Sequence, residues 1–170
     1  MKPSILIAGI GNIFLGDDAF GVEAVRALAG TKLPDEVAIV DFGIRGFDLA
    51  YALLDQWDTV ILVDALSRGD APGTLYTLEP DMKLLQDPQS AQTILNPHGM
   101  DPVSVLRLAS SMGEVAANIY VVGCEPEDFG DELEGRMGLS ETVQSSIAEA
   151  VEMISRMIER ILATKGMCPV

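Results

Sequence analysis

Five side chains in this sequence stand where acid–base or metal chemistry is most easily done. Asp17 and Asp18 follow a short apolar run, Asp41 ends a second run and Asp64 ends a third; His98, the one histidine of the chain, lies between Pro97 and Gly99. Carboxylates and an imidazole together form an N/O set suited to a borderline divalent ion such as nickel or zinc, whereas hard ions want more oxygens and soft ones want thiolates. The same groups can also hand protons to and from a reacting atom. Asp64 directly follows Val60, Ile61, Leu62 and Val63, and a carboxylate at the mouth of so apolar a run needs partners or water. His98 sits in a loop, not on an apolar helix face, a placement that favours function. Structural roles compete with each of these. Asp17 or Asp18 can cap the helix that follows, and Asp41 can hydrogen-bond the glycine-rich turn behind it.

The elements that must position these groups follow from periodicity and punctuation. Residues 4–10 read as a buried strand, and residues 19–28, with Val22, Val25 and Leu28 near helical spacing, as an amphipathic helix. Residues 37–40 form a second strand, 47–54 a helix and 59–63 a third strand. Residues 74–78 alternate after the Pro72–Gly73 turn and predict a further strand. Residues 80–97 mix prolines, charges and polar groups and read as an irregular excursion. Pro102 opens a helix to about Met112 with Asp101 as N-cap. Residues 118–122 are another strand, and 140–163 the longest helix, with Ser140 as N-cap and Val143, Ile147, Val151, Ile154 and Ile158 on one face. The tail 166–170 is expected to fray. Alternating strands and helices predict one α/β domain over residues 1–170. It has three layers, with helices on both faces of a twisted, largely parallel sheet. Ligands in such sheets bind at the carboxyl ends of the strands, which is where Asp17, Asp18, Asp41, Asp64 and His98 would meet.

Composition narrows the partners. The chain has 170 residues, 48% of them hydrophobic, enough for a sizeable core. It carries 26 acidic against 11 basic residues, a net charge of −15, which repels nucleic acid and anionic membranes and favours a cation or a basic partner surface. Two cysteines, Cys124 and Cys168, make no disulfide framework and point to a reducing compartment. The apolar run at residues 5–10 is too short for a signal-peptide core, and no run is long enough to span a membrane. The expected location is the cytoplasm.

Three other readings compete. Gly9-Ile10-Gly11 after a strand suggests a dinucleotide-binding turn, but Phe14 stands at the third glycine position, and Asp17 and Asp18 would oppose a pyrophosphate. A cysteine hydrolase would pair Cys124 with His98, but Glu125, Glu127 and Asp128 nearby raise a thiol pKa. A non-enzymatic metal-sensing or chaperone domain would present the same acidic edge.

Five blocks, in order along the chain, resemble the signatures of the hydrogenase maturation proteases. They are Gly9-Ile10-Gly11-Asn12 with Gly16-Asp17-Asp18-Ala19-Phe20-Gly21; Asp41-Phe42-Gly43 with Gly46; Asp64-Ala65 before Pro72-Gly73; His98-Gly99-Met100-Asp101-Pro102; and Gly123-Cys124-Glu125-Pro126. The resemblance implies an α/β fold and a metal-contacting trio that falls on Asp18, Asp64 and His98. Family members carry Glu or Asp at the first of these positions, and Asp18 reaches one methylene less far than Glu. The resemblance also implies an endopeptidase that recognises nickel already inserted in a [NiFe]-hydrogenase large-subunit precursor and then removes its C-terminal extension. The nickel would be presented by the substrate and not tightly held by this chain. Asp17, Asp18 and Asp41 are further candidates for the base.

Overall fold

Strand β1 (Ile5–Ile10) is apolar at both parities and buried along its whole length, so it must lie inside a sheet covered on both faces. The computed structural model, which describes residues 4–85, 101–130 and 133–166, places it there. The chain continues through helix α1 (Phe20–Ala29), β2 (Val37–Gly43), α2 (Gly46–Ala52), β3 (Thr59–Ala65), β4 (Leu75–Leu78), the short α3 (Met82–Leu85), α4 (Pro102–Met112), β5 (Asn118–Cys124) and α5 (Glu141–Gly166). The five strands form one sheet in the order β2-β1-β3-β5-β4. Four of them run parallel, and β4 pairs antiparallel with β5 at the edge. The expected three-layer α/β domain is the one observed.

Alternation along the strands divides the core in two. Ile5 and Ile7 of β1 and Ile61, Val63 and Ala65 of β3 face a cluster completed by Phe20 and Leu28 of α1 and Val143, Ile154 and Ile158 of α5. Leu6, Ala8 and Ile10, with Val60 and Leu62, face the other layer, against Leu49 of α2 and Val105 and Leu106 of α4. Burial of these aliphatic side chains, each contributing on the order of 1.5–3 kcal/mol, is what holds the sheet between its helices.

Helix α1 sits unusually low on the sheet. A Cβ at Gly21 would come within 2.1 Å of the Val63 carbonyl oxygen and 2.2 Å of the Ile10 carbonyl oxygen, and one at Gly9 within 2.7 Å of the Gly21 carbonyl oxygen. Only glycine permits that approach.

The strands run further than the hydrophobic runs suggest. Parallel pairing carries β2 to Gly43, β3 to Ala65 and β5 to Cys124, with Gly9 opposite Asp41, Asp64 opposite Gly123 and Ala65 opposite Cys124. Asp41 and Asp64 therefore lie within the ladder, because backbone pairing continues after the apolar pattern stops. Helix α1 starts after a 3₁₀ turn at Gly16–Ala19, and α3 interrupts the stretch read as irregular. The rest of that stretch from residue 86, and the tail from residue 167, lie outside the described residues. No helix among the described residues is long and apolar enough to cross a membrane.

Gly21→Val should lower unfolding stability by about 3 kcal/mol or more, since the new side chain meets backbone and not a yielding side chain. Gly30→Ala, whose Cβ would lie 3.3 Å from its nearest neighbour, should change it by less than about 1 kcal/mol. Urea titration of both variants checks the contrast.

Candidate active site

Asp64 shares the face of β3 that carries Val60 and Leu62, so it points toward the α4 layer. Its side chain is buried, and Oδ1 accepts from the Ala65 N–H at 2.9 Å. Across the ladder stands Gly123, which also pairs with Tyr76 of β4. A Cβ at Gly123 would lie 2.4 Å from the Tyr76 ring, so glycine leaves room for that ring on the rung beside Asp64. Burial pushes the Asp64 carboxyl well above the usual carboxylate range; the charge of Asp18 adds to the rise, the Ala65 N–H offsets part of it, and the charge of Asp101 adds again.

Asp18 arrives from the loop after β1. Gly11, at φ 139°, lets the chain fold back so tightly that a Cβ there would sit 1.8 Å from the Asp18 carbonyl oxygen. The Asn12 N–H then donates to Asp18 Oδ2 at 2.7 Å. Burial raises the Asp18 pKa, and the Asn12 hydrogen bond only partly opposes it. Asp101 caps α4 as expected: its carboxylate accepts from the Ser104 N–H at 3.0 Å and the Ser104 hydroxyl at 2.6 Å. The sequence predicts a cap at Asp101; its charge also adds to the proton affinity of Asp64. The signal available for it was its place three residues after His98, in the same block. His98 itself lies outside the described residues. Among the described residues no group of three His, Cys, Asp or Glu side chains is arranged to hold a metal ion.

Asp17 and Asp41 face elsewhere. Asp17 is fully buried, and its carboxylate accepts from the N–H groups of Glu127 (2.8 Å), Asp128 (3.0 Å) and Ser140 (2.6 Å) and from the Ser140 hydroxyl (2.9 Å). Burial alone would raise its pKa, but these hydrogen bonds outweigh it and hold the carboxyl below its ordinary value. The helix it serves is α5, through Ser140, and not α1, whose N-cap Ala19 makes no side-chain cap. Asp41 pairs with Arg26 at 3.1 Å.

Cys124 is buried. Burial, followed by the charge of Asp17, pushes its thiol up to about 12, and the Ser146 contact only moderates the rise. Glu125 adds to the rise, as the sequence leads one to expect, while the Asp17 charge comes from far along the chain. A nucleophilic thiolate is disfavoured there. Glu125, read from sequence only as nearby charge, is buried and gathers the loop after β3: it accepts from the Ser67 hydroxyl (3.2 Å) and the N–H groups of Arg68 (2.7 Å) and Gly69 (3.2 Å).

The site is thus a buried carboxylate at the end of β3, with a second on the 3₁₀ turn after β1 and a third at the α4 cap, whose charges both add to the proton affinity of Asp64. Such a cluster relieves itself by binding protons or a cation. Residues 22–157 match the family model described as HycI, hydrogenase maturation protease. The chain belongs to the hydrogenase maturation protease family. This family member is 35% identical over 152 residues to the hydrogenase 2 maturation protease of Escherichia coli, covering 88% of this chain and 87% of the relative. It is 31% identical over 154 residues to a putative hydrogenase maturation protease of Methanocaldococcus jannaschii, covering 90% and 95%. Its fold superposes on the E. coli hydrogenase maturating endopeptidase HybD with a TM-score of 0.74 at 31% identity, covering 94% of this chain and 93% of the other. The chain is accordingly a peptidase of hydrogenase maturation, and the nucleotide-binding reading falls away.

Two carboxylates predict opposite pH behaviour. The Asp64 pKa is raised on folding, so between the unfolded value of about 3.9 and the folded one the native state binds the extra proton and stability falls as pH rises. Asp64→Asn should therefore raise the thermal midpoint at neutral pH, and the gain should vanish near about pH 3. The Asp17 pKa is lowered, so its contribution is present above the unfolded value and lost as pH falls through the folded one. Asp17→Asn should cost about 3 kcal/mol at neutral pH by leaving buried N–H groups unpaired. Thermal denaturation of both variants across pH tests the pair.

Proposed function

We propose that this protease removes the C-terminal extension of a [NiFe]-hydrogenase large-subunit precursor after nickel insertion, and that it reads the substrate's nickel through Asp18, Asp64 and His98. The observation that carries the reading is the placement of Asp64, buried at the carboxyl edge of the sheet, where the Asp18 carboxylate adds to its proton affinity. A divalent cation delivered between buried Asp64 and half-buried Asp18 reverses their electrostatics and makes both charged forms favourable. His98 supports it from sequence: it precedes Asp101, whose charge reaches Asp64, by three residues, a tether of at most about 11 Å when extended. An imidazole with two carboxylates suits nickel and leaves coordination positions open for a metal that another protein holds.

In the hydrolysis, water oxygen adds to the scissile carbonyl carbon, the C–N bond breaks and the departing amine takes a proton. The substrate's nickel supplies Lewis acidity toward the carbonyl or the attacking water. The chain's own residues position the tail and move protons. Asp17 has its oxygens occupied by four donors and Asp41 faces Arg26, which leaves Asp18, fixed by the Asn12 N–H, as the carboxylate best placed to take the proton of water. Selectivity comes from the metal: a precursor without nickel offers nothing for the trio to engage.

Nickel-loaded precursor should be shortened at its C-terminus and nickel-free precursor should not, as read by intact mass, while casein should be untouched. Equal cleavage of the two precursor forms overturns nickel recognition. His98→Ala should abolish processing with an unchanged circular dichroism spectrum. Cys124→Ala should keep cleaving and lose about 1 kcal/mol of stability; a folded but inactive Cys124→Ala would return the thiol to the mechanism.

A further inference from the structure

Beside the carboxylate pair lies a surface that neither the fold nor the proposed chemistry uses. Ile44, Phe47 and Tyr51 run at helical spacing along the loop before α2 and α2 itself, and are 61%, 68% and 64% exposed. Phe14, on the loop after β1, is 57% exposed. Exposed large apolar side chains are ordinary when scattered, but gathered ones mark interaction sites, and aromatic residues are enriched in such sites.

Phe14 and Ile44 line one cleft of about 330 Å³, together with Ile13, Val22 and Phe42. That volume is near the lower end for ligand sites and fits one or two apolar side chains. The cleft shares a wall residue with the candidate active site. Gly11 and Asn12 form part of its wall, and the same Asn12 donates its N–H to Asp18. The loop before α2 is tied to its own backbone: the Arg45 guanidinium donates to the backbone carbonyls of Asp41 and Phe42 and lies 5.8 Å from the centre of the Phe42 ring. The charges at the rim are held in ion pairs, Arg26 with Glu23 and Asp41, and Arg45 with Asp48. These two guanidiniums against three carboxylates leave the rim with a single excess negative charge on a chain of net charge −15. That net charge opposes close approach of a second copy, while an apolar segment of another protein meets no such opposition.

We infer that Phe14, Ile44, Phe47 and Tyr51 form a docking surface for an apolar polypeptide segment of the hydrogenase precursor flanking the scissile bond. The inference rests on the functional reading above and adds to it a second recognition element that does not depend on the metal. The nickel contact selects the loaded precursor; the apolar surface holds the chain beside it so that the bond to be cut lies at Asp18 and Asp64.

Steady-state cleavage of nickel-loaded precursor by the wild type, Ile44→Ser and Phe47→Ser tests it, with thermal midpoints recorded for each. These side chains are exposed, so the midpoints should stay within a few degrees of wild type. KM should rise on the order of tenfold in each variant with kcat within about twofold, the signature of binding shared by ground and transition states. The same variants should lose affinity for nickel-free precursor in a direct binding measurement. Wild-type cleavage with unchanged KM in both variants overturns the docking surface alone. A wild-type dimer in sedimentation that the variants dissociate overturns it in favour of a contact between copies. Absence of cleavage by the wild type overturns the functional reading and the docking surface with it.

Discussion

The carboxyl edge of this sheet depends on how closely helix α1 lies on β1 and β3. Gly21 brings the first turn of the helix against the carbonyl oxygens of Ile10 and Val63. The chain that leaves β1 must consequently turn within a few residues, and Gly11 supplies the backbone conformation that the turn needs. Asp18 is thereby delivered next to the end of β3, where Asp64 stands. A helix raised by the width of one methyl group would lengthen that turn and part the two carboxylates, so packing at a glycine sets the electrostatics of the site.

Much of this arrangement was legible in the sequence because its signals are local. Asp101 followed by Pro102 marks the start of α4 by a cap and a first-turn proline, and the helix keeps the expected bounds. Apolar runs marked the strands and the face of the last helix. What escaped was non-local. The strand ends lie beyond the apolar runs because parallel partners keep bonding there, which a single run of residues does not reveal. Asp17 looked like a cap for its own helix, yet its partners are 110 to 123 residues away. Nothing in the neighbouring sequence announces them.

The exposed side chains around α2 show the same division. Ile44, Phe47 and Tyr51 have the spacing of a core-facing stripe, and periodicity alone would place them inside. The true core side of α2 is carried by Leu49 and Ala50, with Leu53 just past its end. The helix is therefore apolar on two sides, and only the observed packing tells which one the fold consumes.

Three acidic side chains are buried among the described residues: Asp17, Asp64 and Glu125. Burial raises the proton affinity of all three, and what separates them is the supply of donors. Asp17 collects three backbone N–H groups and a hydroxyl, and Glu125 collects backbone N–H groups and a hydroxyl from the loop after β3; both are held below the ordinary carboxylate value. These two spend their charge on the fold, tying the loop after β5 to the start of α5 and fastening the loop that follows Asp64. Asp64 has the Ala65 N–H for a donor and carboxylates for neighbours, and it is pushed the other way. A fold that neutralises two buried acids with its own backbone has the means to neutralise a third. Among the described residues Asp64 has the Ala65 N–H alone for support, and that difference in donor supply sets it apart from the two acids that serve the fold.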